Sequence, residues 1–406
     1  MSQHQEQIGF HGMRILGFCD YFGSESSGGT ERVAREVYAR LASRGAQIQV
    51  VTIGKRGAAS VRDIDGITVH DIPLVDLSPV FRAQVAFAPT LLRRVPSIIR
   101  GFVPHVLHAN NLYFQTTLAA AMLQRFWSLP LVTTAHIGSL QHLPKPTRWL
   151  AQGYERTIGQ LILKRSSRVI AVSQSVRNYL VGRGVNGNKI DVVHNGVDLQ
   201  TFQPARTEID GNGSTPLILF IGRLIGNKGP HILLEALFDL NRANIRFSAV
   251  FLGSGPMRRI LEKRVLAKGL QSLITFAGHV EEPAPHLRNA DVIVRPSFSE
   301  GMPLTVLEAM ASRVCVVASD IPGNRDLIQN GRTGLLVRAG SAPDLATALA
   351  LLIRDPWRRR ELAAGGYQIA QGYSWAETAE GTANVLMTAG TAHRRDGSWV
   401  SKQAPK

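Results

Sequence analysis

The chain of 406 residues carries 46 lysines and arginines against 30 aspartates and glutamates, a formal net charge of +16, and 44% of it is hydrophobic. Single cores rarely grow past ~250–300 residues, so this length and apolar content point to two domains. The charge favours anionic partners such as phosphosugars or a negatively charged leaflet; nucleic acid is set aside for want of an aromatic–basic RNA module or zinc spacing, and no run reaches the ~18 apolar residues of a spanning helix.

Residues 1–12, MSQHQEQIGFHG, are polar, lack the apolar core of a secretory signal, and read as a disordered lead-in. Met13–Cys19 is the first expected strand. Gly28 and Gly29 stand before a helix expected over Glu31–Arg44, capped by Thr30 and ended by Gly45, with a strand following at Ile48–Ile53. Asp63-Ile64-Asp65 has the letters of an acidic metal triplet but runs into Gly66, so an exposed hairpin is the better reading and no metal site is expected. Phe81–Phe102 mixes apolar and basic residues without an acid. It would suit an interfacial helix on an anionic membrane surface, or, since Pro89 and Pro96 interrupt it, two short core-packing helices with basic outer faces.

Val106–Ala109, Leu131–Thr134, Val169–Val172 and Ile190–Val193 read as later strands of the same sheet, with His108 and His136 at strand ends. The stretch 203–216 is polar and turn-rich and reads as a linker, after which Leu217–Ile221 opens a second series of strands alternating with helices. Such alternation predicts parallel sheets with helices on both faces, in two Rossmann-like domains facing each other across a ligand cleft. Cys19 and Cys315 fall at strand-like positions in different domains and read as buried small hydrophobes.

In the second half, Asp291–Arg295 is a short apolar run, Pro296–Gly301 is turn-rich, and a helix is expected to start near Pro303 or Leu304. The first N–H groups of that helix, at Leu304 and Thr305, lack intrahelical acceptors and would face the crevice at the strand ends, where open α/β sheets bind phosphate-bearing ligands. Glu300 lies just outside this mouth and Glu308 on the helix face behind it. Arg223 and Lys228 occupy a glycine-rich turn directly after Leu217–Ile221, where cations converge on a pyrophosphate at a sheet's carboxyl edge.

The pair Glu300 and Glu308, inside PSFSEGMPLTVLEAMA, resembles the signature of the retaining glycosyltransferases of GT-B type, family 4. HNGVDLQTF (194–202), IGRLIGNKGP (221–230), GSGP (253–256), FAGHV (276–280) and GRTGLLV (331–337) occur in that family's order, and SGGTERVAREVYARLASRG resembles its usual opening. The resemblance implies an α/β GT-B fold with an N-terminal acceptor-side domain over 1–202, the linker 203–216, a nucleotide-sugar-binding domain over 217–373, a helix over 374–390 returning to the first domain, and a basic tail over 391–406. It also implies retaining, metal-independent transfer of a sugar from a nucleotide diphosphate to an acceptor hydroxyl by front-face displacement, with no cofactor.

Carried over residue by residue, Arg223 and Lys228 hold the diphosphate, Glu300 binds a sugar hydroxyl, Glu308 binds the ribose, and His136 lies near the transferred sugar. Gly28, Gly29, Gly222, Gly253, Val280, Gly301, Met302, Pro303, Leu304 and Thr305 complete the donor site. His194 and Asn195 are expected to shape the crevice without proton chemistry. Arg325-Asp326 departs from the glutamate more often found there, so a donor contact at that point is expected to differ. The acceptor implied is a sugar, a lipid-linked sugar or a polysaccharide, and the setting cell-surface glycolipid or polysaccharide synthesis, in the cytoplasm or on the inner face of its membrane. A nucleotide-sugar epimerase of the same architecture and a catalytically silent sugar-binding subunit are the alternatives.

Overall fold

The computed structural model describes residues 11–23, 28–53, 59–76, 86–136, 145–204 and 215–395. The expected disordered lead-in lies outside them except for His11 and Gly12, as do most of the linker and the tail beyond Arg395. Two compact units share the chain, one drawn from Met1–Ile137, Trp149–His194 and Trp375–Lys406, the other from Gly138–Arg148 and Asn195–Ser374.

In the first unit the strands are β1 (Arg14–Phe18), β2 (Gln47–Ile53), β3 (Ser60–Ile64), β4 (Ile67–Ile72), β5 (Val75–Asp76), β6 (Ala86–Phe87), β7 (Val106–Asn110), β8 (Leu131–Ala135), β9 (Arg168–Ala171) and β10 (Ile190–Val192). Its main sheet runs β10-β9-β8-β7-β1-β2-β4-β3 and is parallel except where β3 returns against β4. That return is the hairpin expected at the acidic triplet. Asp65 and Gly66 both take positive φ, 53° and 78°, as a tight two-residue turn between twisted strands requires, and Asp63 Oδ1 accepts the Gly66 N–H at 3.0 Å.

The helix after β1 spans Gly29–Ser43 and is capped by Gly28, not by Thr30. The cause is Glu31, whose Oε2 reaches back to the Gly28 N–H at 2.7 Å and so satisfies a donor two residues earlier than expected. Within the described part of Phe81–Phe102, one helix, Leu91–Phe102, runs through Pro96, which does not interrupt it as expected; it buries Leu91, Val95 and Ile99 in the unit's core and leaves Arg93, Arg94 and Arg100 outside. Its apolar face is spent on packing, which matches the core-packing alternative better than an interfacial helix.

The C-terminal helix Trp375–Arg395 belongs to the first unit and runs past 390. It packs on Gly29–Ser43, Thr378 Oγ1 donates to the His194 carbonyl at 2.9 Å, and Arg44 pairs with Glu380. Both cysteines are buried and unbridged; burial raises the Cys19 thiol and pushes the Cys315 thiol up to about 12.

The second unit holds β11 (Leu217–Ile221), β12 (Ser248–Leu252), β13 (Ile274–Gly278), β14 (Val292–Arg295), β15 (Cys315–Ser319) and β16 (Leu335–Val337) in the parallel order β13-β12-β11-β14-β15-β16. Its start differs from the expected boundary at 202: the segment from Asn195 belongs here. Asn195 Nδ2 donates to Met302 O at 3.0 Å, Val197 N–H to Tyr373 O at 3.0 Å, and Arg288 to Thr201 O at 3.3 Å, so long-range bonds claim a stretch whose composition does not mark it. Among the described residues, no helix is long and apolar enough to cross a membrane.

Candidate active site

Strand order in the second unit reverses between β11 and β14, and at such a switch point the loops leave in opposite directions and open a crevice at the carboxyl ends of the strands. Both loops singled out from the sequence start there: Gly222–Lys228 after β11, and Pro296–Pro303 after β14.

The first loop ends in a short turn, Gly226–Lys228, followed by Gly229 at φ +67°. A Cβ on Gly229 would stand 2.0 Å from the Pro296 carbonyl oxygen, so only glycine lets the turn lie against the second loop. The Phe298 N–H donates to Asn227 O at 2.9 Å and fastens the two together. That contact sets Lys228 opposite Glu300, with Nζ 2.8 Å from Oε1 and 2.9 Å from Oε2.

A third group, unmarked by the sequence reading, completes the cluster. Arg295, the last residue of β14, is 6% exposed. Its Nε and Nη2 donate to Glu300 Oε1 at 3.0 and 2.7 Å, and its Nη1 donates to the Ile221 carbonyl at 2.7 Å. Gly222 makes room for it, since a Cβ there would lie 2.7 Å from Nη1. Burial alone would raise the Glu300 carboxyl, but the Arg295 and Lys228 charges outweigh it and bring it down to about 2. Lys228 is pulled down to about 8 by burial, with the Glu300 charge opposing and the Arg295 charge adding. Arg223 reaches solvent beside them. Its charge bears on Lys228 as well.

The helix behind the loop spans Leu304–Ala311 with Pro303 as its cap, in agreement with the expected start. Its first intrahelical bonds come from Val306 and Leu307 to the Pro303 carbonyl, so the Leu304 and Thr305 N–H groups precede them. The Thr305 hydroxyl oxygen is buried and has no partner among the described residues. Glu308 is 3% exposed on the same helix. Gly301, Met302 and Pro303 are buried in the connecting loop, which Asn195 braces through Met302. Gly253 at φ +135° follows β12 and donates to the Gly278 carbonyl, while Val280 lies just beyond β13. At the point of departure, Arg325 pairs with Asp320, and the Asp326 charge, after burial, raises the Tyr373 hydroxyl.

In the first unit, His136 follows β8, and its Nε2 is sealed from solvent without a partner among the described residues; burial lowers it to about 4, so the ring is neutral at physiological pH. His108 is a satisfied core residue by contrast, with the Tyr38 hydroxyl 3.0 Å from Nδ1 and the Thr134 hydroxyl 2.8 Å from Nε2. The Gly28 amide is occupied by Glu31, and Gly29 begins the helix behind it. Asp20, after β1, also escaped the sequence reading. Its carboxylate takes the Gln115 and Thr116 N–H groups and the Thr116 hydroxyl, while burial raises it to about 6.

Two α/β units built on largely parallel sheets, with two cations, a buried arginine–carboxylate fork and a helix mouth at one switch point of the second, make up the architecture and the candidate site. The description Glycosyl transferases group 1 matches residues 202–369 and Glycosyltransferase Family 4 matches residues 27–201. The D-inositol 3-phosphate glycosyltransferase of Arthrobacter sp. (strain FB24) is 31% identical over 381 residues, covering 88% of this chain and 89% of the relative. Among solved structures, sucrose-phosphate synthase from Thermosynechococcus elongatus aligns at a TM-score of 0.78 with 21% identity over 94% of this chain and 100% of its own. Anabaena HepE in complex with UDP and glucose aligns at 0.76 with 21% identity over 93% and 100%. The chain belongs to the family 4 glycosyltransferases and has the GT-B fold. Family membership sets aside the epimerase alternative.

Proposed function

We propose that this glycosyltransferase moves a sugar from a nucleoside-diphosphate donor to an acceptor hydroxyl with retention at the anomeric carbon and without a metal ion. The observation that carries the reading is the convergence of Arg223, Lys228 and the Leu304–Thr305 helix mouth at one switch point. Preorganised positive charge of this kind stabilises a departing diphosphate. Glu300 is held between Arg295 and Lys228, a placement that suits a ligand for a sugar hydroxyl more than a nucleophile. Without a protein nucleophile, front-face displacement accounts for retention: the leaving phosphate oxygen takes the acceptor proton as the new glycosidic bond forms on the same face. Metal independence rests on Arg223 and Lys228, whose guanidinium and ammonium groups can neutralise the diphosphate without a cation.

The setting we propose is cell-surface glycolipid or polysaccharide synthesis, in the cytoplasm or on the inner face of its membrane. The +16 charge favours an anionic acceptor or surface, and Trp149 and Leu150 stand exposed side by side at 70% and 77%. The relatives named D-inositol 3-phosphate glycosyltransferase favour a second acceptor reading, a small phosphorylated polyol.

Incubation with UDP-, GDP- and ADP-sugars, alone and with inositol phosphate or a lipid extract, tests these readings together. Nucleotide release that depends on an acceptor and survives EDTA, with the donor's anomeric configuration kept in the product, is the expected result. Inverted product, or activity abolished by EDTA and restored by manganese, refutes the corresponding part. No release with any donor leaves the silent-subunit alternative standing.

A further inference from the structure

The Glu300 carboxylate carries an uneven load. Oε1 receives Arg295 Nε, Arg295 Nη2 and Lys228 Nζ, while of the two cations only Lys228 reaches Oε2, and the Ser297 side chain also bears on the carboxylate. The two cations are also held differently. Arg295 is anchored at its far end by the Ile221 carbonyl, lies over Gly222, and has a side chain only 7% exposed. Among the described residues Lys228 bonds through its side chain to Glu300 alone, sits on a turn at the crevice, and is 16% exposed. A lysine ammonium on a flexible stem can change partners; a guanidinium locked by a backbone carbonyl cannot.

On the donor reading above, Lys228 has to meet a diphosphate. With Lys228 as sole counter-ion, every transfer of that lysine to phosphate would strand a buried carboxylate. We propose that Arg295 is the positioning residue that removes this conflict: it holds Glu300 by Oε1 throughout, so that Lys228 is released to the incoming diphosphate and Oε2 is left facing a hydroxyl of the transferred sugar. Arg295 touches neither the phosphate nor the sugar. It acts through Glu300 and keeps the mouth net positive, with Arg223, Lys228 and Arg295 against Glu300 and Glu308.

The test is calorimetric titration of UDP, GDP and ADP into the full-length protein, with turnover measured alongside. The variants are Arg295→Met, Arg295→Lys, Glu300→Gln and the double variant Arg295→Met/Glu300→Gln. Without Arg295, Lys228 stays on Glu300, so Arg295→Met weakens diphosphate affinity by about tenfold and lowers turnover by about a hundredfold. In the double variant Lys228 has no carboxylate to hold it, and affinity returns to within about threefold of the wild type while turnover stays low. A merely structural arginine gives no such recovery. Arg295→Lys, which keeps the charge but not the fork, falls between, and it carries the comparison should Arg295→Met melt below assay temperature. Affinity unchanged in both Arg295 variants, or a loss that persists in the double variant, overturns the inference and leaves the donor reading intact. A wild-type protein that binds none of the diphosphates takes down both.

Discussion

Glu300→Gln removes the charge that two buried cations share, and its effect on stability can be worked out group by group. Breaking a buried ion pair from one side costs ~3–5 kcal/mol because the remaining charge is left uncompensated. Here the stranded groups are Arg295, which cannot lose its proton, and Lys228, already drawn down to about 8. Lys228 can escape the repulsion by deprotonating, at about 1.4 kcal/mol for each unit between its pKa and the working pH. That route caps the loss at roughly 2–4 kcal/mol at pH 7, or about 5–15 °C in the melting temperature of a unit this size. The pH dependence has a definite sign. A lysine whose folded pKa lies below its unfolded value stabilises the fold progressively as pH rises between the two. Without Glu300 that window opens below about 8, so the gap between variant and wild type should narrow from roughly pH 6 to pH 8. Turnover should fall while diphosphate affinity is kept, because Lys228 is freed. Melts followed by circular dichroism across that range, with calorimetry at pH 7, read all of this. A melting point within 2 °C of wild type at every pH, within the usual ±0.5 kcal/mol of an innocuous surface change, would show that the three groups do not share a buried charge.

Lys228→Ala and Arg223→Ala are each expected to lower donor turnover by at least ~10²-fold with the fold intact, the effect of losing one preorganised charge partner. Near-normal transfer by either variant removes that residue from the mechanism. Glu308→Gln should weaken the free nucleoside diphosphate by about 1.5–3 kcal/mol if its carboxylate holds the ribose, and equal losses for Glu308→Gln and Glu300→Gln against every ligand would refute the division between ribose and sugar. His136 and His108, lowered by burial to about 4 and about 3, contribute stability that is fully present above the ordinary pKa of 6.5 and is lost as pH falls toward those values. NMR titration should find both rings neutral at pH 5.5; a His136 midpoint near 6.5 would mean that its ring is solvated.

Local rules were enough for most of the fold. Asp65-Gly66 announces a hairpin because few other dipeptides accept two positive φ angles, and the alternation of apolar runs with capped amphipathic stretches places the strands within a residue or two. The helix cap at Gly28 escaped because it depends on a choice between two neighbours: Thr30 has the right side chain, yet Glu31 reaches the earlier N–H. The second unit's start at Asn195 was not legible at all, since bonds to Met302 and Tyr373, more than a hundred residues away, decide it.

Arg295 marks the limit most clearly, and also shows what signal was overlooked. VIVR has the composition of a buried strand, but arginine is almost never buried without a carboxylate partner, so a strand that buries one requires an acid within reach of its carboxyl end. Glu300, five residues on and across a turn, meets that requirement, and the pair could have been inferred. What no sequence pattern supplies is the third member. Lys228 comes from a different loop and arrives only because Gly229 lets its turn rest on Pro296. The carboxylate is thereby shared between a cation fixed by its own strand and a cation delivered by another, and that asymmetry gives the site one charge that can move.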